Sequence, residues 1–553
     1  MTIPSPLHDG CNAVVKETPM LFSLNLLNFK RATIMSVVRM LIILVFGLTP
    51  FNVVAQLSPG EGRQLNYRLV GFSFPARSGS DKYEVQIARG RFDQEDSFIT
   101  NLVARSESDT NHVIVEVPSF GAAYTWRVVC YVHGVEKSRG VFHHFSTGYI
   151  KAVDTSMQRL RILENAKVFK DAYIIPDYSR VIYDMKGNPV WFLPDTGCFS
   201  EPPGDLKMSN RGTLTMVLGS GDAYEISYDG DILWKAPNSM GVSGDKKEVY
   251  HHQLTRLANG HYMVLGNENA FVLKKWPAGK GTSGLIKDND TNQRANDTNY
   301  TRTHFGTIIE YDSTGAIIWS WHFLHYFKES DLFYFRELEP SYWPQKNDLL
   351  DFDMHENAFY FDERNKKIYL SFRVCSRILK IDYPSGKVDR EYGEKYRKGM
   401  TPKNDGVFYG QHSCNIVEGK YLGVFNNNMR DSTCRPEVLL MTEPLGHNEQ
   451  PIAAWKYTCT TGDHKVGKAG LIMFKTGGNI EELPGGSLFV SMSQPYCKVF
   501  IVSREKKGLW SALPEQWDAG RKLWVPMLIY RTSMITSRQE MERLVWRAER
   551  KTQ

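Results

Sequence analysis

The stretch Tyr183-Asp184-Met185-Lys186-Gly187-Asn188-Pro189-Val190-Trp191 decides the fold, because it returns. Two close copies follow, Tyr228-Asp229-Gly230-Asp231-Ile232-Leu233-Trp234 and Tyr311-Asp312-Ser313-Thr314-Gly315-Ala316-Ile317-Ile318-Trp319. Weaker ones lie at Ile381-Asp382-Tyr383-Pro384-Ser385-Gly386-Lys387-Val388, Ile452-Ala453-Ala454-Trp455 and Lys507-Gly508-Leu509-Trp510, making six. Each joins a strand to a strand through a polar or glycine turn and ends on an apolar or aromatic residue. A second hairpin phrase precedes several of them, as in Leu257-Ala258-Asn259-Gly260-His261-Tyr262-Met263-Val264, Val417-Glu418-Gly419-Lys420-Tyr421-Leu422 and Leu483-Pro484-Gly485-Gly486-Ser487-Leu488. Four strands per unit, repeated six times at uneven spacing, is the pattern of propeller blades with loops of unequal length. The expected fold is all-β, with a six-bladed β-propeller over residues 150–536.

Ahead of the repeat, residues 57–149 alternate apolar and polar residues in short runs, as in Tyr83-Glu84-Val85-Gln86-Ile87-Ala88 and Tyr124-Thr125-Trp126-Arg127-Val128-Val129. Period-two alternation between turns means half-buried strands, and a run of this length predicts a small N-terminal β-sandwich. Residues 537–553 are expected to form a charged helical tail. Residues 1–55 read as a leader. Arg39 precedes the apolar run Met40–Leu48, and Val53-Val54-Ala55 supplies small residues before a break, the layout of a secretory signal. Pro50 interrupts the apolar stretch, which argues against a retained spanning helix, and Met35 is an alternative start. The mature chain is therefore expected to be exported, periplasmic or secreted.

With 42% hydrophobic and 23% charged residues, a packed core is expected and wholesale disorder is not. A net charge of +6 over 553 residues gives no case for a nucleic-acid partner. Of eight cysteines, Cys11 leaves with the leader, and an odd number cannot pair completely. Cys414 and Cys434 are the nearest candidates for a disulfide, and no C-x-x-C pair suggests zinc. Lys274–Thr303 reads as a loop insertion with N-x-T triplets at Asn289, Asn296 and Asn299.

Three histidines open blade strands: His252 in His251-His252-Gln253-Leu254, His355 in Asp353-Met354-His355-Glu356-Asn357, and His412 in Gly410-Gln411-His412-Ser413. Any one of fifteen histidines is more often structural than catalytic, but recurrence at one blade position would line one rim of a central channel with imidazoles. Asn357 and Arg373, in Ser371-Phe372-Arg373, would sit beside them. The phrases around His252, around His355-Glu356-Asn357 with Arg373, and around Gln411-His412 with Val424-Phe425-Asn426-Asn427 resemble, in order, the three active-site blocks of the arylsulfate sulfotransferases, bacterial enzymes independent of nucleotides. The resemblance spans roughly residues 180–530.

It implies that His412 is the residue transiently sulfated, with His252, His355, Asn357 and Arg373 around the sulfuryl group. The donor would be an aryl sulfate and the acceptor a phenol, with no cofactor, metal or nucleotide, and a homodimer as a candidate assembly. Gln253 stands where the family commonly has an acidic residue, and Glu356 follows His355. The chemistry suits the residue types. A sulfate ester transferring through a loose transition state needs an in-line nucleophile and donors for its equatorial oxygens. Neutral imidazole can be that nucleophile, giving ping-pong kinetics. A guanidinium offers paired N–H donors, and a second histidine can move the phenolic proton. Phe333-Tyr334-Phe335 and Tyr342-Trp343 are candidates for an aryl wall, though ordinary packing accounts for most such aromatics.

Other readings have weaker support. Gly462-Asp463-His464-Lys465-Val466-Gly467-Lys468-Ala469 approaches a phosphate-binding loop but ends on alanine in a β-rich region, and reads as a basic loop. A metal-dependent hydrolase or lyase could gather His251, His252, His355 and His412, with Asp353 and Glu356 as the nearby carboxylates. A non-enzymatic binding propeller would use the histidines only as hydrogen-bonded shape elements.

Overall fold

The computed structural model describes residues 57–549 apart from 166–167, 196, 200, 240, 244–246, 274–299, 327–351, 354, 374, 394–405, 429–434, 448 and 461–476. The leader, the N-x-T triplets, Phe333–Phe335, Tyr342-Trp343, Cys434 and the Gly462–Ala469 loop lie outside the described residues.

Six units, each built on four antiparallel strands, form the propeller; Phe352–Asp353 adds to the third, and Gln158–Glu164 and Leu523–Pro526 add to the sixth. Blade two is Pro203–Met208, Leu214–Leu218, Ala223–Ile226 and Ile232–Lys235. Blades three, four and five begin with Tyr250–Arg256, Glu356–Asp362 and His412–Val417, and blade six with Asn479–Glu482. Blade one is built from both ends of the propeller: Thr532–Ile535 pairs with Tyr173–Pro176, which continues into Val181–Asp184 and Pro189–Phe192. The register Tyr173↔Ile535 closes the ring by hydrogen bonds between segments far apart in sequence. Closure removes the exposed sheet edges that an open array would carry.

Every copy of the repeated phrase falls on the hairpin between a blade's third and fourth strands or on the fourth strand itself. Its chemistry is legible in blade three. Asp312 Oδ1 accepts the backbone N–H groups of Thr314 and Ala316 at 2.8 and 2.9 Å, and Gly315 takes φ +89°, a left-handed turn position that a side chain would strain. The tryptophans pin one blade to the next. Trp191 Nε1 donates to the Tyr228 carbonyl at 2.6 Å, Trp321 to Gly386 at 3.0 Å, Trp455 to Arg504 at 2.8 Å, and Trp510 of blade six to Met185 of blade one at 3.3 Å. Trp191, Trp321 and Trp510 bury their apolar bodies, and Trp455 part of its own, while each N–H finds the neighbouring turn. Trp234 stacks instead on Tyr262 of the next blade, with ring centroids 3.6 Å apart.

The sandwich precedes the ring. One sheet runs in the order Arg63–Leu65, His143–Thr147, Ala123–Val132, Lys82–Arg89 and Leu102–Ser108, with Val135–Arg139 also paired to Ala123–Val132, and the second pairs Leu69–Ser73 with His112–Glu116. Phe72 packs edge-on against Trp126 in its core. Asn66 Nδ2 donates to the Phe192 carbonyl at 2.8 Å and Tyr67 Oη to Asp229 at 2.8 Å, so the sandwich is tied to blades one and two. The tail expected from Ser537 onward contains the helix Arg538–Glu549, which buries Met541, Leu544 and Val545 in the same core and is thus amphipathic. The insertion is entered and left through a long ladder in which Leu273 faces Tyr300. Cys414, offered above as a disulfide partner, is a buried free thiol that donates to the Tyr369 carbonyl at 3.4 Å. Among the described residues no helix is long and apolar enough to cross a membrane.

Candidate active site

The innermost strands of blades two to five share an irregularity at the end where the site forms. Register shifts fall between Gly204 and Lys207, His251 and Leu254, Glu356 and Ala358, and His412 and Cys414. Within or beside them Asp205, His252, His355 and Ser413 take φ of +52, +60, +53 and +62°. A bulge turns side chains out of the ordinary alternation, and a left-handed non-glycine residue costs free energy that surrounding structure must hold in place. Here the bulges aim side chains into the channel.

Exact equivalence of the three histidines does not hold. His412 pairs with Phe425, and its ladder counterparts are Glu356, opposite Phe372, and His251, opposite Leu265. His252 lies inside its bulge, while His355 precedes its strand. Because the bulges differ in length, the three imidazoles nevertheless converge. Ring centroids of His252 and His355 are 4.9 Å apart, and those of His355 and His412 are 6.4 Å apart. Tyr530, three blades away from His355 in chain order, lies within 5.4 Å of the His252 ring and 5.9 Å of the His412 ring.

His412 is wholly buried, and its Nε2 has no hydrogen-bond partner. Its Nδ1 lies 3.4 Å from the Gly410 carbonyl and 2.8 Å from Asn427 Nδ2. That amide already has carbonyl acceptors for both N–H groups, Gly410 at 3.0 Å and Gly477 at 3.2 Å. In the tautomer whose Nδ1–H donates to Gly410 the lone pair is left on Nε2, whereas in the other Nδ1 accepts from Asn427 and Nε2 carries the proton. Burial first, then the Arg373 guanidinium, His355 and Arg531, holds the His412 pKa well below the ordinary imidazole value, so the ring is neutral at physiological pH. Burial and the neighbouring His251 push the His252 pKa down in the same way.

Arg373 is 2% exposed, and its backbone N–H donates to the His355 carbonyl at 3.0 Å, locking it to blade four beside that histidine. Asn357 is fully buried and donates Nδ2–H to the Gln411 carbonyl at 2.7 Å, which fastens the residue preceding His412. Its Oδ1 has no partner. Gln253 clamps blade four: Nε2 donates to the Phe359 carbonyl at 2.7 Å, and Oε1 accepts Phe359 N–H at 3.1 Å. An acidic residue at 253 could accept but not donate, so the amide here has a structural reason.

Sequence reading missed Tyr530 and Arg531. Arg531 donates from Nη1 to Asp205 at 2.9 Å and to Gln253 at 3.1 Å, and from Nη2 to the Asn357 carbonyl. Asp177 accepts the backbone N–H groups of Tyr178, Asp205, Tyr530 and Arg531, while burial pushes its carboxyl up to about 7. The Tyr530 hydroxyl is buried without a partner, and burial raises its pKa, so it stays a neutral donor. Their only sequence signal was position, immediately before an apolar segment able to close the ring. A pocket of about 300 Å³ opens beside His252 and Tyr530, walled by Tyr178, Val217, Leu218 and Val249. Among the described residues no group of three or more His, Cys, Asp or Glu side chains is placed to hold a metal ion.

Residues 275–444 match the family model described as Arylsulfotransferase (ASST). Over that span, under half of its length, the chain is similar to the arylsulfotransferases. The span includes His355, Asn357, Arg373 and His412, with His252 ahead of it. In general terms the family supports a sulfotransferase enzyme. No curated protein matches the chain. Among solved structures, it is similar to a putative 6-phosphogluconolactonase from Bacteroides fragilis, at 11% identity and a TM-score of 0.29 over 69% of this chain and 98% of the other. A protein from Lactobacillus plantarum gives 8% identity and a TM-score of 0.33 over 66% and 99%.

Proposed function

We propose that this protein transfers a sulfuryl group from an aryl sulfate to a phenolic acceptor, without a nucleotide, through a sulfated His412. The observation that carries the reading is the buried, neutral His412 with an unpartnered Nε2 beside two other imidazoles and a tyrosine hydroxyl. The aryl group would occupy the pocket walled by Tyr178, Val217 and Leu218, whose apolar surface suits an aromatic ring.

In the first half-reaction the Nε2 lone pair forms the N–S bond as the S–O bond to the aryl oxygen breaks, its electron pair leaving on oxygen. Arg373 faces the charge developing on the sulfuryl oxygens, and the Tyr530 hydroxyl is a second donor in reach of the same space. His252 lines the pocket and delivers a proton to the departing phenolate, then takes one from the incoming phenol in the reverse sense. The Gly410 carbonyl holds the Nδ1 proton of His412 throughout. Asn357 acts on this account through Gln411, fixing the strand that presents the nucleophile. The leader sequence alone supports placing the reaction outside the cytoplasm.

The deciding experiment exposes the protein to a chromogenic aryl sulfate without acceptor and measures intact mass, then maps the modified peptide. One added sulfuryl group on His412, discharged when phenol is supplied, is the expected result. A phenol burst with no adduct, or an adduct elsewhere, refutes the assignment.

A further inference from the structure

Beside His252 stands a carboxylate–imidazole pair that no catalytic role has yet absorbed. Glu356 is 1% exposed, and its Oε1 stands 2.9 Å from Nε2 of His251, itself 18% exposed. The approach is an ion pair when His251 is protonated. The other nitrogen of His251, Nδ1, is 2.6 Å from Nδ1 of His252, and the two rings stand edge to face. A chain thus runs from carboxylate to imidazole to imidazole, with Nε2 of His252 as its far end, and His252 lines the pocket.

An independent feature shows that the carboxylate is accommodated on purpose. At Gly306, on blade three's strand Tyr300–Tyr311, an added Cβ would stand 2.1 Å from Glu356 Cδ and 2.3 Å from Oε2. The carboxylate occupies the space that any other residue there would fill, reaching from blade four across to blade three. A buried carboxylate is costly to hold without a partner, and here His251 is placed to supply the positive charge.

Resting on the sulfotransfer reading, we infer that Glu356 and His251 form a positioning relay that sets which proton His252 carries, so that His252 can act as acid in one half-reaction and base in the other. When the aryl oxygen departs, the Nε2 proton of His252 moves to it, and His252 Nδ1 takes the Nδ1 proton of a cationic His251. The charge balances: the cation beside Glu356 is lost as the sulfated His412 gains a positive ring and a negative sulfonate. The incoming phenol reverses each transfer, returning the cation to His251 opposite the carboxylate. The groups facing His252 are His251 from its own strand, His355 and His412 from the next two blades, and Tyr530 and Arg531 ahead of the closing strand. Among the described residues that face it none of the others is an anion, and the carboxylate reached through His251 stabilises a proton there.

The test compares leaving groups. 4-Nitrophenolate departs near neutral pH without needing a proton, whereas phenolate needs one. In single-turnover sulfation, Glu356→Gln should lower the ratio of the phenyl sulfate rate to the 4-nitrophenyl sulfate rate about 100-fold, the lower end of what general acid catalysis supplies. Glu356→Asp, which keeps the charge, should recover most of the ratio. Gly306→Ala offers a second route, because its methyl group displaces the flexible end of Glu356 without replacing it. An unchanged ratio in both Glu356→Gln and Gly306→Ala, with His412 still sulfated, overturns the relay alone. Absence of sulfated His412 in the unaltered protein sinks the sulfotransfer reading and the relay with it.

Discussion

Replacing Arg373 with methionine tests two consequences of one cation. The side chain is 2% exposed, so its charge acts through a poorly screening medium. In the proposed reaction it faces the sulfuryl oxygens, and removal of one such donor costs about 10²- to 10³-fold in turnover, or ~2.7–4 kcal/mol. Deep burial favours the upper part of that range. The second consequence concerns protons. Arg373 is the largest charge contribution holding the His412 pKa down, after burial itself. Without it the imidazole becomes easier to protonate, so the acid limb of the sulfation rate should move to higher pH, while burial still keeps it below the ordinary imidazole value of about 6.5. Stopped-flow release of 4-nitrophenol at saturating donor, followed from acid to neutral pH, reads both quantities at once. A variant whose plateau rate stays within about threefold of the original, and whose acid limb does not move, would refute the placement of this guanidinium beside the nucleophile.

Further expectations follow from the same contacts. His412→Ala should abolish both the adduct and aryl exchange, and turnover with a retained adduct elsewhere would reassign the nucleophile. Arg531→Met should cost about 3 kcal/mol in urea unfolding, the lower end for breaking a buried pair, because Asp205 keeps Lys207 as a second cation. Acid should destabilise the fold through His252 and His412. Their folded pKa values are depressed, so the stability they contribute is present above about 6.5 and falls as pH drops below it, where the unfolded chain binds protons that the native one refuses. Asp177 and Glu481, raised to about 7, act oppositely, their contribution being lost as pH rises through 7. The clean measurement is therefore the difference between the unaltered protein and His412→Asn, whose unfolding midpoint should depend less steeply on pH between 7 and 5.

The outer half of each blade was legible because it rests on local chemistry. An aspartate that accepts two backbone N–H groups, as Asp312 does, and a tryptophan that pins the next turn, as Trp191 does, leave a mark every time they recur. The inner half was legible in residue type but not in register. A bulge of one residue beside Cys414 and of two beside Leu254 changes which side chain faces the channel without altering composition. His252, His355 and His412 were found as a set, yet the true ladder counterparts of His412 are His251 and Glu356. Tyr530 and Arg531 were invisible for a different reason. They belong to no repeat, since the closing strand that follows them, Thr532–Ile535, completes a blade begun at Tyr173, and only that long-range pairing says which way they point.

That placement makes ring closure and site assembly a single event. Before Thr532–Ile535 pairs with Tyr173–Pro176, nothing brings Arg531 to Asp205 of blade two, Gln253 of blade three and the Asn357 carbonyl of blade four. Asp177 couples the two directly. It lies between Tyr173–Pro176 and Val181–Asp184 of blade one and accepts the N–H groups of both Tyr530 and Arg531. The free energy of closure thus holds the bulges whose left-handed residues would otherwise relax, and the strain at His252 and His355 is sustained by hydrogen bonds made elsewhere in the ring. A neutral, buried imidazole with no partner at Nε2 is unstable by itself. It persists at His412 because the network that buries it is the one that shuts the propeller, so the site's reactivity is supported by the stability of the whole circle.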